Sequence, residues 1–88
     1  MKIELRNLGT VNKNRVSIIK NNGQRVDLYF SYETIIAVIG SEGIKVSQNE
    51  WSKTTGKLLN ELMPDKHRRI PHSEVLAYAQ RELNGVSI

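Results

Sequence analysis

The chain contains no cysteine, which excludes disulfide bonds, thiolate metal sites and a cysteine nucleophile. It also has no apolar run near the roughly 18–20 residues of a membrane span. Its longest run, Ile35–Ile39, has the length of a buried strand. The N-terminus alternates charged and apolar residues and has no apolar signal core, so we expect no signal peptide. These absences favour a cytoplasmic protein that makes no membrane contact.

Candidate catalytic residues are also few. The only histidines, His67 and His72, lie five residues apart, and the carboxylates are scattered along the chain. The tripeptide Thr55-Gly56-Lys57 resembles the end of a phosphate-binding loop. However, Trp51 stands where that loop needs its first glycine, and Leu58 stands where it needs serine or threonine. We therefore expect no enzymatic activity, no metal site and no cofactor.

The charge of the chain is basic and uneven. The 88 residues, enough for one domain spanning residues 1–88, carry a net charge of +4 and have a sequence pI of about 9.6. Residues 1–25 hold six basic side chains against one acidic one. Such an excess favours polyanionic partners. It is equally typical of an edge hairpin that lysine and arginine keep soluble.

The first half of the chain has the pattern of β-strands. Ile3 and Leu5 alternate with charged residues, and Asn21-Asn22-Gly23 predicts a tight hairpin because asparagine and glycine tolerate positive φ. The unbroken apolar run within residues 34–39 indicates cover on both faces or a central place in the sheet. The expected strands cover residues 2–8, 15–20, 24–31, 34–39 and 44–47.

The second half has helical periodicity. A helix is expected from near Glu50, capped by Ser47 or Asn49, to Pro64, and a second from Pro71 to Leu83. Strands followed by helices predict an α+β fold. We expect an antiparallel meander of about five strands, followed by two C-terminal helices packed on one face.

Two segments resemble a family of small uncharacterised proteins common in bacteriophages, prophages and archaeal viruses. The segments are Tyr29-Phe30-Ser31-Tyr32-Glu33-Thr34 with Ile36-Ala37, and Val46 to Asn60 with its Asn49-Glu50-Trp51-Ser52-Lys53-Thr54-Thr55-Gly56-Lys57 core. Arg69-Ile70-Pro71 and the last helix fit the same pattern, so the resemblance covers roughly residues 28–83. Leu58 stands where the family pattern has histidine. The resemblance implies a viral or mobile-element origin and an intracellular location, and it implies no activity.

The polar run around Trp51 allows two interpretations. Serine and threonine are poor helix formers, so a run of them needs a reason. One is a capping network, with Trp51 packed on Tyr29 or Tyr32 at the corner of a small core. The other is a binding surface made of hydroxyls, Lys53 and an exposed tryptophan.

Nucleic acid is the first candidate ligand, because tyrosines can stack on bases while cations hold phosphates. A basic hairpin and the loop at residues 66–69 would supply the cations. The alternative for that loop is a solvated segment in which Arg68 and Arg69 partly neutralise a helix C-terminus. The alternative is a protein-interaction module that modulates a host protein, or a homodimer formed through the strand edge at residues 2–8. The candidate nucleic-acid-binding residues are Lys13, Arg15, Lys20, Arg25, Tyr29, Tyr32, Lys53, Lys57, Lys66, Arg68 and Arg69.

Overall fold

The computed structural model describes residues 1–10, 12–51 and 53–84, with the side chains of Lys53 and Thr54 outside the description. Five strands form one antiparallel sheet in the order β1-β2-β3-β4-β5, and two α-helices with a short 3₁₀ helix between them follow. The α+β meander with two C-terminal helices is therefore confirmed. The elements are β1 (Lys2–Asn7), β2 (Lys13–Ile19), β3 (Arg25–Ser31), β4 (Thr34–Gly40), β5 (Gly43–Val46), α1 (Lys53–Leu62), the 3₁₀ helix (Lys66–Arg68) and α2 (His72–Leu83).

The turn chemistry of the β2–β3 hairpin works as predicted. Gly23 has φ +88°, and the Asn22 side chain accepts a hydrogen bond from the Gln24 N–H at 2.9 Å. The first helix begins later than expected, at Lys53 rather than near Glu50. The Asn49 carboxamide instead accepts the Trp51 N–H at 3.0 Å, which forms an Asx turn ahead of the helix.

The two helices pack on opposite faces of the sheet, which corrects the expectation of one covered face. In β3, Leu28 belongs to the apolar cluster that holds α2, whereas its neighbour Tyr29 packs against the cluster that holds α1. Successive strand residues point to opposite faces. We call these the α2 face and the α1 face. On β4, Ala37 faces α1 and Val38 faces α2, and both are fully buried.

Two side chains of α2 hold the turn between β4 and β5. The buried Tyr78 hydroxyl accepts the Glu42 N–H at 3.0 Å and donates to the Gly43 carbonyl at 2.8 Å. One turn further along, the Glu82 carboxylate accepts the Ser41 N–H and the Ser41 hydroxyl. The Ser41 backbone N–H lowers the pKa of Glu82, since it stabilises the ionised form. The helix is therefore fixed to the sheet by polar contacts as well as by its apolar face.

We expect Tyr78→Phe to lower the free energy of unfolding by about 1–3 kcal/mol, because two backbone groups of the turn lose their hydrogen-bond partner. Tyr32→Phe is the matched control. It removes the same hydroxyl from an exposed tyrosine that makes no side-chain hydrogen bond to the described residues, and it should change stability by less than about 0.5 kcal/mol. Urea unfolding measures both variants, and equal effects would contradict the role given to Tyr78.

Candidate nucleic-acid interface

The predicted cations fall in at least four separate places. Lys13 and Arg15 lie at the start of β2, on the α1 face. Lys20 follows the other end of β2, and seven residues of extended strand place it roughly 23 Å from Lys13. The third group lies between the helices, where Lys66 and Arg68 are exposed. Lys57 is exposed on α1, and the side chain of Lys53 lies outside the described residues. The sequence-predicted residues therefore do not form one surface.

A basic patch on the α1 face consists of Arg6, Lys13 and Arg15. Arg6 of β1 lies directly opposite Arg15 of β2, and Lys13 lies two residues before Arg15 on the same face. Like charges directly opposite on neighbouring strands destabilise a sheet. Within the described residues none of the three makes an ion pair, and the Nε of Arg15 is buried without a hydrogen-bond partner. The one acidic residue on this face of β1, Glu4, is paired with Lys2 at 3.2 Å, so the three cations of the patch have no ion pair of their own among the described residues.

Tyr29 is the aromatic neighbour of this patch. It lies opposite Arg15 on the α1 face, and it packs half-buried against the α1 cluster. The ring therefore belongs partly to the core, which limits it to edge contact with a ligand. Arg6 was not among the sequence-predicted binding residues. Alternation placed it on the charged face of β1, but only the pairing register shows that it lies opposite Arg15.

Arg25 belongs to a different environment. Its Nε donates to Asp27 at 3.0 Å and its Nη2 donates to the Ser17 hydroxyl at 3.1 Å, while Ser17 also donates to Asp27. The hydrogen bond and the negative charge of Asp27 raise the pKa of Arg25. Its charge is already paired, so Arg25 contributes less to the binding of an anion than Arg15 does.

Arg69 is buried, so it is not the exposed phosphate contact predicted from the sequence and takes the alternative place at a helix C-terminus. It is 6% exposed, and its Nε and Nη2 donate to the Met63 carbonyl at 3.0 and 2.8 Å. Nη2 also donates to the Asn60 side chain at 2.6 Å. The last carbonyls of a helix lack partners within it, and a cation favours that end of the helix dipole. Arg69 therefore caps α1, while its neighbour Arg68 is exposed.

A cleft lies where the β3–β4 turn meets the start of α1. Tyr32 stands in the turn with φ +56°, an uncommon conformation for a residue other than glycine, and it is 57% exposed. Trp51 is 40% exposed, and its ring contacts His72 edge to face at 4.9 Å between centroids. The cleft has a volume of about 170 Å³, and its lining consists of Ser31, Tyr32, Thr34, Ile36, Trp51 and Thr55.

These contacts bear on the two interpretations of Trp51. Its observed ring partner is His72 rather than Tyr29 or Tyr32. The His72 ring is held in turn by the Ile35 carbonyl, 2.9 Å from its Nε2. The indole is therefore supported on one side and open towards the cleft. The ring is thus partly packed and partly exposed.

The basic patch and the cleft are continuous. Lys13 lies directly opposite Ser31, whose hydroxyl bonds the Thr55 hydroxyl on the cleft wall at 2.8 Å. The Tyr32 N–H donates to the Asn12 carbonyl at 2.7 Å, which ties the turn to the start of β2. Side chains opposite in an antiparallel pair lie about 5 Å apart at Cβ, so Lys13 is adjacent to the wall of the cleft that Ser31 forms.

Hydrogen bonding, stacking and charge pairing are the chemistry that this surface offers. In the described ranges 1–10, 12–51 and 53–84, no group of three or more histidine, aspartate or glutamate side chains is placed to hold a metal ion. None of the helices in that part of the chain has the length and hydropathy to cross a membrane.

We expect Arg69→Ala to lower the free energy of unfolding by about 2 kcal/mol or more, because the Met63 carbonyl loses a charged partner. Arg68→Ala removes the same charge from the adjacent exposed position and should cost less than about 0.5 kcal/mol. Thermal or urea unfolding compares the two variants. A cost for Arg68→Ala equal to that for Arg69→Ala would contradict the capping role.

Comparison with known proteins gives one match. The model of a family of unknown function (DUF8033) matches residues 4–76, which include all of β2 to β5, α1 and the start of α2. A search of the curated proteins and of the solved structures finds no match to the chain. The matched segment covers most of the chain, and the protein therefore belongs to this family of unknown function.

Proposed function

We propose that this protein is a non-enzymatic module that binds single-stranded nucleic acid across the basic patch and the Tyr32–Trp51 cleft. The observation that carries the proposal is the uncompensated Arg6–Arg15 pair beside two exposed aromatic side chains. Phosphates would neutralise the patch, and bases would stack in the cleft. The proposal moves the interface away from the loop at residues 66–69, since Arg69 is committed to α1.

The size and position of the cleft favour a single strand over a duplex. A volume of about 170 Å³ is small for a whole metabolite, since ligand pockets usually enclose about 300–1,000 Å³. It suits one planar ring, and bases are free to enter such a site only when they are unpaired. Hydroxyls of Ser31 and Thr34 line the same cleft, where they can bond the edge of a base.

The biological setting is part of the same proposal. The resemblance of residues 28–83 to small phage and archaeal-virus proteins supports a role as a viral or mobile-element accessory protein inside a host cell. Binding of nucleic acid without catalysis is compatible with that setting. The absence of cysteine is compatible with a reducing compartment.

The first test is fluorescence anisotropy of labelled single-stranded and duplex oligonucleotides at low and at physiological salt. We expect tighter binding to the single strand, with an affinity that falls steeply as salt rises. The double variant Lys13→Gln/Arg15→Gln should weaken binding. It should also lower the log–log salt slope by about 1.4, since each phosphate contact to a single strand contributes about 0.7.

The matched control is Lys20→Gln/Arg68→Gln, which removes the same total charge from exposed or half-exposed sites outside the patch. It should retain nearly the wild-type slope. Circular dichroism checks that the variants fold. If the variant with Arg15→Gln does not fold, the single variants Lys13→Gln and Lys20→Gln replace the two double variants. Equal losses in both double variants would mean that only net charge matters and would contradict the proposed interface, as would no binding at low salt.

A second test uses Trp51, the only tryptophan, as its own probe. A stacked base should quench its fluorescence, so we expect a single-stranded pyrimidine oligonucleotide to quench it and a duplex to leave it nearly unchanged. Tyr32→Ala should weaken binding by about 1–3 kcal/mol, the range measured when a stacking platform is lost. Leu76→Ala removes another exposed large side chain, on α2, and serves as the control. Quenching that does not depend on Tyr32 would contradict the role of the cleft.

A further inference from the structure

Strand β1 is an uncovered edge of the sheet. All of its residues are exposed, including two large apolar ones, Ile3 at 52% and Leu5 at 72%. Both lie on the α2 face, opposite Ile18 and Val16 of β2, but α2 itself packs on β3, β4 and β5. A long edge strand with exposed apolar side chains is a template for pairing with another chain.

The hydrogen-bonding phase of this edge follows from its bonds to β2. Leu8 N–H donates to the Lys13 carbonyl at 2.8 Å, in continuation of the β1–β2 register. Bonded and non-bonded pairs alternate along an antiparallel ladder, so the even-numbered residues of β1 bond to β2. The bond that closes the β2–β3 hairpin gives the same phase. The N–H and C=O groups of Ile3, Leu5 and Asn7 therefore point outward, available to a partner.

A second copy of this chain is complementary to that edge in one register. Two antiparallel β1 strands related by a two-fold axis at Leu5 would pair Leu5 with Leu5 and Ile3 with Asn7, all through outward-pointing backbone groups. Three such pairs exchange about six backbone hydrogen bonds. On the α1 face, Glu4 of each copy then lies opposite Arg6 of the other. The charges on the strand are thus opposite in sign wherever they meet.

The neighbouring pairing registers bring like charges together or pair fewer residues. A shift by one pair places Glu4 opposite Glu4 and Lys2 opposite Arg6, which brings like charges together. A shift by two pairs places Ile3 on the axis and restores Lys2–Glu4 contacts. It shortens the ladder, however, and uses Met1, whose terminal ammonium already bonds Asn21.

We propose that the protein forms a homodimer by antiparallel pairing of β1, with Leu5 at the two-fold axis and two Glu4–Arg6 contacts. The sheet becomes continuous over ten strands. This goes beyond the binding of nucleic acid and does not rest on it. The two proposals share Arg6, but Lys13 and Arg15 lie on β2 outside the new ladder, so Lys13→Gln/Arg15→Gln leaves the dimer contacts in place. An interface of one added strand is small, so the dimer is expected to dissociate in the micromolar range or above.

The test is sedimentation equilibrium without nucleic acid, from about 10 μM to about 1 mM protein. The wild type should dimerise with rising concentration. Glu4→Arg places two arginines in contact across the interface, and Arg6→Glu places two glutamates there. Each should raise the dissociation constant roughly tenfold or more, because two pairs change from attraction to repulsion.

An equimolar mixture of the Glu4→Arg and Arg6→Glu proteins restores both opposite-charge pairs, so we expect it to form a heterodimer more tightly than either component associates with itself. The double variant Glu4→Arg/Arg6→Glu should likewise recover self-association. Wild-type protein that stays monomeric at about 1 mM would overturn the proposal. So would single variants that associate like the wild type. Rescue of Glu4→Arg by Lys2→Glu, rather than by Arg6→Glu, would overturn the register.

Discussion

The burial of β4 on both faces is the constraint on which the rest of this structure depends. Ile36, Ala37 and Val38 are each 0% exposed, although successive residues of a strand point in opposite directions. A single helix cannot cover both sides, so the chain needs α1 on one face and α2 on the other. In a domain this small few apolar residues are available to cover either face, so both helices are needed.

The same arrangement determines which parts of the sheet stay open. Both helices contact the β4 side, and β1 and the first residues of β2 extend beyond them. On the α1 face this open region carries Arg6 and Arg15, and on the α2 face it carries Ile3 and Leu5. Each face of the open region therefore presents a different chemistry. A polyanion suits the first, and an added strand suits the edge between the two.

Local sequence predicts the strands and turns of this fold well. Alternating residues around Ile3 and Leu5, the Asn22-Gly23 turn and the apolar run of β4 each act within a few residues of the chain. That run indicated cover on both faces or a central place in the sheet, but nothing local shows that the two helices divide between the two faces. The predicted start of α1 is too early because the Asn49 side chain can either cap a helix or form an Asx turn. The sequence is the same in both cases, and the structure has the Asx turn.

The candidate site was harder to predict because it depends on pairs of residues far apart in sequence. Arg68 and Arg69 are indistinguishable by composition, yet Arg69 faces the end of α1 and Arg68 faces solvent. Arg15 and Arg25 are equally basic, and only the register shows that Asp27 neutralises one of them while Arg6 opposes the other. Charge along the sequence therefore shows which cations are available, and strand pairing decides which of them lie together.

Like charges held opposite each other are informative because folding alone does not favour them. An exposed cross-strand pair contributes about 0.2–1 kcal/mol when its charges are opposite, and it destabilises the sheet when they are alike. A single acidic residue at position 6 would convert the Arg6–Arg15 repulsion into attraction. The sequence instead carries a third cation nearby, at Lys13, with a polar cleft beside it. Stability of the isolated chain gives no reason for this arrangement. The two proposals each supply one, as a bound anion would neutralise Arg15 and Lys13, and Glu4 of a second copy would lie opposite Arg6.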